Sequence, residues 1–261
     1  MRLLIANANT SKQVTEMVAS AAYGFASPGT ELRFTTAEFG ARIIASRTEI
    51  AIAHHAILDS IARYGEDCDG VLVAASYDCG LSAARELTGK PVTALTEASL
   101  LAAVTVGARI GLVIWGKGAP AVYHEVIEFY GLGHRICGTL RLDVAPPDDP
   151  ESAARLDAEA VKAARTLIDE READVILLLG AVFAGRSLAI EEQVDAPVLD
   201  GVRCAIPLLE ALVRVRSKPP LRGSFAVPQN RENVGLSPEL TRRLSKAAGG
   251  NNGARRARAR S

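Results

Sequence analysis

The run Ser76-Tyr77-Asp78-Cys79-Gly80 places four side chains capable of proton transfer or nucleophilic attack directly behind the apolar stretch Val71 to Ala75. A helical pattern begins near Leu81. Unpaired N–H groups at a helix start favour a thiolate, so Cys79 is expected to titrate below the usual ~8.5. Such a thiolate can remove an acidic proton from carbon or attack an electrophile. Cys79 also has a simpler reading as a small buried residue, a common use of cysteine. Tyr77 and Asp78 are alternative proton carriers, and Asp78 is also a residue type that caps helices.

Other loops would complete a site around this turn. Asn7-Ala8-Asn9-Thr10-Ser11 follows an apolar strand and offers amides, hydroxyls and N–H groups to a carboxylate or imide oxygen. Asn7 and Asn9 are read as substrate contacts, alongside the plainer role of helix capping. Ser76, Gly80 and Glu97 are assigned to the same wall. In the second half, the turn from Gly180 to Gly185 carries no acid, base or nucleophile before Arg186. Ala181 and Val182 can offer backbone N–H groups there, and Arg186 a positive charge. Trp115 ends a strand on that side, and Lys117 follows on a loop, as a ligand or as an ordinary solvated lysine. Cys204 either approaches the cleft from a helix opening at Asp200-Gly201 or packs in the core. Cys68 and Cys137 read as structural. The four histidines fall in helices or a connecting loop.

Positioning these residues requires buried parallel strands joined by helices. Short apolar runs alternate with amphipathic segments, predicting strands near 2–6, 31–36, 70–75, 92–95, 109–114, 137–142, 174–179 and 197–199. Helices are predicted over 11–23, 48–64, 81–89, 97–106, 119–131, 151–171, 187–194 and 202–214. The chain also repeats itself: the segment from Asp69 lies over the segment from Asp174 at an offset of about 105 residues. Two copies predict an α/β molecule of two pseudo-symmetric, Rossmann-like open parallel sheets. Ligands sit beyond the carboxyl ends of such strands, so facing copies would enclose one cleft. The expected division is 1–98 with 202–215 as a discontinuous first domain, and 99–201 as the second. Residues 216–248 read as an extended arm reaching toward a neighbouring subunit, with one short helix after Ser237-Pro238. Residues 249–261 read as a disordered basic tail.

With 30 basic and 30 acidic residues among 261, the chain has no net field to recruit nucleic acid or anionic membrane. No apolar run reaches a membrane span, and the N-terminus enters a strand pattern at once, so no secretory leader is expected. The four cysteines have no CxxC or CxxH spacing, which points away from disulfides and structural zinc and toward the cytoplasm. The long arm points to a homo-oligomer.

These motifs resemble a known family. "NANTS", "DCGLSAAREL…PVTALTEAS", "ILLLGAVFAG" and "PVLDGVRCAIPLLEALV" are similar, in order, to stretches of the aspartate/glutamate and hydantoin racemase superfamily, over roughly residues 2 to 215. The resemblance implies two pseudo-symmetric domains with the active site between them, no metal and no organic cofactor. It implies Asn7 as a substrate-binding position. It also implies one cysteine per domain, deprotonating opposite faces of a stereocentre. In this chain those positions fall on Ala75 and on Ala181 or Phe183, and none is a thiol. The expectation is therefore a cofactor-independent racemase-like enzyme acting at an acidic carbon of a small anionic or hydantoin-like substrate. One-sided decarboxylase, lyase or hydrolase chemistry through Cys79 and a catalytically silent binder are the alternatives.

Overall fold

A computed structural model of the chain describes residues 1–116, 119–215, 223–226 and 232–246. The first lobe runs β1 (Arg2–Asn7), α1 (Lys12–Phe25), β2 (Glu31–Thr36), α2 (Arg47–Tyr64), β3 (Gly70–Val73), α3 (Leu81–Thr88) and β4 (Val92–Ala94). Helix α4 (Leu95–Val106) leads to the second: β5 (Ile110–Trp115), α5 (Ala119–Phe129), β6 (Ile136–Leu142), α6 (Pro150–Arg171), β7 (Val175–Leu179), α7 (Ser187–Glu191) and β8 (Val198–Asp200). Helix α8 (Gly201–Val215) follows, and α9 (Pro238–Lys246) ends the described chain.

Each lobe is an open four-stranded parallel sheet. The strand orders are β2-β1-β3-β4 and β6-β5-β7-β8, the same order repeated. The central strands are buried along their whole length, as in β3 (Gly70–Val73) and β7 (Val175–Leu179), because helices cover both faces. In each sheet the order reverses at the first strand, and there the crevice at the carboxyl ends opens.

The helices that follow the two fourth strands cross between lobes. Val202, Ala205, Ile206 and Leu209 of α8 are buried against Leu3, Ile5 and Leu72 of the first sheet. Leu100 and Ala103 of α4 are buried against Ile110, Leu112 and Val175 of the second. The two helices also pack on each other. Gly201 makes this close approach feasible, since a Cβ there would lie 2.8 Å from the Leu95 Cβ.

The described end of the arm, α9, packs on its own lobe. Leu240 is 3% exposed, with Leu236 and Leu244 beside it against the α2 core. Arg63 and Glu239 approach to 4.0 Å at the edge of that contact. The rest of the arm, apart from 223–226 and 232–237, and the basic tail lie outside the described residues.

If α9 is an integral part of the first lobe, Leu240→Ala leaves a cavity under α2 and lowers unfolding free energy by about 2–4 kcal/mol. Urea denaturation of the full chain measures this. A loss below about 0.5 kcal/mol, the range of surface substitutions, would show that α9 contributes no core.

Candidate functional site

A cavity of about 390 Å³ lies between the lobes, lined by Asn9, Ser11, Ala75, Ser76 and Tyr77 of the first and by Trp115, Gly116, Tyr123, Ala181 and Val182 of the second. These residues follow or end β1, β3, β5 and β7, the two central strands of each sheet. Two further loops form its rim: Arg42 to Ala45 between β2 and α2, and Pro146 to Asp148 between β6 and α6. Its size suits a small organic ligand, and its walls are largely apolar.

The β1–α1 loop is built around Asn7, which is 1% exposed. Its Nδ2 donates to Asn9 Oδ1 at 3.0 Å, Ser11 O at 3.1 Å and Thr15 Oγ1 at 3.0 Å, and its Oδ1 accepts from Asn9 N at 3.1 Å. Asn7 is thus bonded internally and lies outside the residues that line the cavity. It shapes the loop that presents Asn9. The Asn9 Oδ1 is also occupied, accepting from Ser11 N at 2.9 Å, which leaves its amide N–H₂ for a ligand. Ser11 caps α1 through Val14 N.

The β3–α3 turn departs most from expectation. Gly80 adopts φ 71°, and a Cβ there would come within 2.6 Å of Ile57 Cγ2, so the turn is pressed against α2. That packing drives Cys79 inward. Its side chain is fully buried in the first lobe's core, away from the cavity lining. Burial, and then the nearby Asp78 charge, push its thiol up to about 12 rather than down. The thiolate expected from the sequence is corrected on this ground. Gly80 likewise serves the turn, not the cavity wall.

Asp78 is buried too, at φ 50°. Its carboxylate accepts from Thr96 N at 3.0 Å, Glu97 N at 2.8 Å and the Tyr130 hydroxyl at 2.7 Å. It caps α4, a helix distant in sequence, rather than carrying protons at the cavity. Desolvation raises it to about 7 against the opposing effect of these donors. Glu97 is likewise committed, to Arg85 at 2.6 Å and Thr93 Oγ1 at 3.0 Å, and is absent from the lining. Arg186 is absent as well, because its guanidinium is held by both Asp157 oxygens at 2.9 and 2.8 Å and by Val182 O at 3.1 Å. Both charges are held in ion pairs inside the protein.

Tyr77 does face the cavity. Its ring packs on Tyr123 at 4.8 Å between centroids, and burial pushes its phenol up to about 12. Ser76, Trp115, Ala181 and Val182 also line the space, with Trp115 Nε1 fixed on Val144 O at 2.9 Å. Gly180 precedes them at φ 132°, a conformation that excludes side chains. Lys117 lies outside the described residues. Ala75 and Ala181 sit at matching strand ends of the two lobes and both line the cavity, whereas Phe183 is buried in the second lobe's core. Cys204 packs between the two lobes' cores, its thiol also pushed up to about 12 by burial.

Sequence reasoning missed Tyr123, Arg42, Gln13 and Asp148. Ala119, Tyr123 and Ile127 recur at four-residue spacing and are all buried, a signal that could have turned Tyr123 inward. Gln13 Nε2 donates to Asp148 Oδ1 at 2.9 Å, bridging the lobes at the rim, and Arg47 pairs with Glu125 beside it. Arg42 makes no ion pair among the described residues. No group of three or more His, Cys, Asp or Glu among them could hold a metal, and no described helix is long and apolar enough to cross a membrane.

The burial of Cys79 has a direct chemical consequence. Iodoacetamide at pH 8 should alkylate it at least about a hundredfold more slowly than a free thiol, and unfolding should abolish that protection. Peptide mass spectrometry of partially labelled protein reads the rate. Labelling at the rate of an exposed cysteine would contradict the placement.

Residues 3–209 match the Asp/Glu/Hydantoin racemase family. A hydantoin racemase of Pseudomonas sp. (strain NS671) is 26% identical over 239 residues, covering 90% of this chain and 95% of the relative. A hydantoin racemase of Paenarthrobacter aurescens is 27% identical over 237 residues, covering 89% and 99%. Among solved structures, an allantoin racemase from Pseudomonas fluorescens superposes with a TM-score of 0.85 at 29% identity, covering 90% of this chain and all of the other. One from Klebsiella pneumoniae gives 0.84 at 25% identity, covering 92% and 98%. Repeated lobes, a cleft at the facing strand ends and a family match across most of the chain lead to one conclusion: this chain belongs to the Asp/Glu/hydantoin racemase family.

Proposed function

We propose that this chain is a cofactor-independent isomerase that moves a proton at the acidic carbon of a small hydantoin-like or carboxylate substrate, with Tyr77 as the proton carrier of the first lobe. The observation that carries this reading is the exchange of places within one turn. Cys79 is enclosed in the core, while Tyr77, two residues earlier, lines the cavity. The similarity to hydantoin and allantoin racemases supports a substrate with a C–H bond acidified by a neighbouring carbonyl. Asn9 N–H₂ and the Arg42 guanidinium are available to the carbonyl oxygens as charge builds on them.

A phenol near 12 is almost wholly protonated at neutral pH, and the small phenolate fraction is a correspondingly strong base toward carbon. Phenolate takes the C–H proton, leaving an enolate; a proton returned from the phenol regenerates the starting enantiomer, and one delivered by water on the opposite face gives the other. With solvent exchange at the phenol, the substrate gains deuterium in D₂O.

A second reading is favoured by Ala75 and Ala181, methyl groups at the two positions where the family resemblance implies thiols. On that reading the cavity binds its ligand without racemising it, or acts from one face only.

Incubating a 5-monosubstituted L-hydantoin with the protein in D₂O, and following optical rotation and mass together, separates the two. Deuterium uptake with optical decay is expected, and Tyr77→Phe should lower it by about a hundredfold or more while Cys79→Ala retains it. Binding without exchange on any hydantoin or small amino diacid would leave the silent-binder reading standing.

The pH dependence follows from the direction of the Tyr77 shift. Because the base form lies above neutrality, the exchange rate should rise about tenfold per pH unit between pH 7 and 10. A profile flat over that range would assign the base to another group.

A further inference from the structure

The first-lobe turn that carries Tyr77 is held from the opposite lobe at two consecutive residues, Tyr77 and Asp78. Tyr123, in α5, packs its ring on Tyr77 at 4.8 Å. Tyr130, one residue beyond the end of α5, donates its hydroxyl to Asp78 at 2.7 Å. Tyr123 is 2% exposed, and Tyr130 packs against the cores of both lobes. Tyr77 also packs against the first lobe's core and borders the cavity, and among the described residues its aromatic ring contact is the one with Tyr123.

We propose that Tyr123 and Tyr130 of the second lobe are positioning residues for Tyr77, gripping the Ser76–Asp78 turn so that its phenol meets the substrate only while the lobes are together. The proposal rests on the reading of Tyr77 as the proton carrier. Its physical content is that the proton carrier belongs to one lobe by sequence and to the other by restraint. Asp78 is the anchor of this grip. Its carboxylate joins the N-terminus of α4, which crosses between lobes, to Tyr130, and its backbone continues directly into Tyr77. Loss of the Tyr130 hydroxyl leaves Asp78 with its two α4 donors but frees it from the second lobe. A displacement of about 1 Å at Tyr77 is enough to lower a proton-transfer rate by about a hundredfold.

Y130F keeps shape and apolar volume while losing the hydroxyl bond to Asp78, and Y123L keeps apolar volume while losing the ring contact with Tyr77. In the full chain, Y130F and Y123L should each lower kcat for deuterium exchange into a 5-monosubstituted hydantoin by about 10- to 100-fold, with KM within about twofold of wild type. In parallel, protein labelled with 3-fluorotyrosine gives a ¹⁹F resonance for Tyr77, assigned by its loss in Y77F. That resonance should shift or broaden in Y130F, although the Tyr130 hydroxyl touches Asp78 rather than Tyr77. An unmoved Tyr77 resonance in Y130F overturns the proposal, whether or not kcat falls. Unchanged kcat in both variants, with exchange by wild type intact, also overturns it and leaves the functional reading standing. Should wild type exchange no hydantoin at all, the functional reading fails, and the ¹⁹F shift alone decides whether the grip exists.

Discussion

Everything at this site depends on the crossing of α4 and α8 between the lobes. Each helix leaves the fourth strand of one sheet and buries its apolar face under the other, with Val202, Ile206 and Leu209 under the first and Leu100 and Ala103 under the second. Burial of aliphatic side chains of this size contributes roughly 1.5–3 kcal/mol each, so the exchanged helices supply a substantial part of both cores. Neither lobe has a complete core without a helix from the other. The facing of the strand ends is therefore a consequence of core packing rather than of contacts at the cavity.

The polar groups around the cavity divide into those spent on architecture and those left for a ligand. Asn7, Asp78, Glu97 and Arg186 are all committed to hydrogen bonds or ion pairs inside the protein. A buried polar group left without a partner would cost about 1–3 kcal/mol, which explains why such residues are found satisfied rather than pointing into an apolar space. Tyr77, Asn9 and Arg42 are what the architecture leaves over. An apolar cavity with few available donors orients a small molecule through those few, and strengthens each interaction by excluding water.

The two cysteines nearest the lobe junction show how burial overrides local sequence chemistry. A helix start lowers a thiol only where the thiolate can be solvated or paired. Cys79 instead meets the apolar packing of α2 and the charge of Asp78, and both oppose ionisation. Cys204 is raised for the same first reason, with Asp200 adding to it. Tyr77 shares the burial but faces the cavity, so its high proton affinity is exposed to a substrate.

The short apolar runs and the amphipathic segments between them, together with the repeat between Asp69 and Asp174, determined the α/β class, the two parallel sheets and the cleft at their carboxyl ends, because strand burial and helix amphipathicity are local in sequence. They also put Tyr77, Asn9, Trp115, Ala181 and Val182 at or just after strand ends, and these residues line the cavity. Tertiary structure decided which way side chains turn within a loop. Gly80 against Ile57 turned Cys79 inward, α4 claimed Asp78, Asp157 claimed Arg186, and α5 brought Tyr123 onto Tyr77. Those outcomes depend on partners 18 to 46 residues away in the chain, and a sequence read locally carries no record of such distances closing.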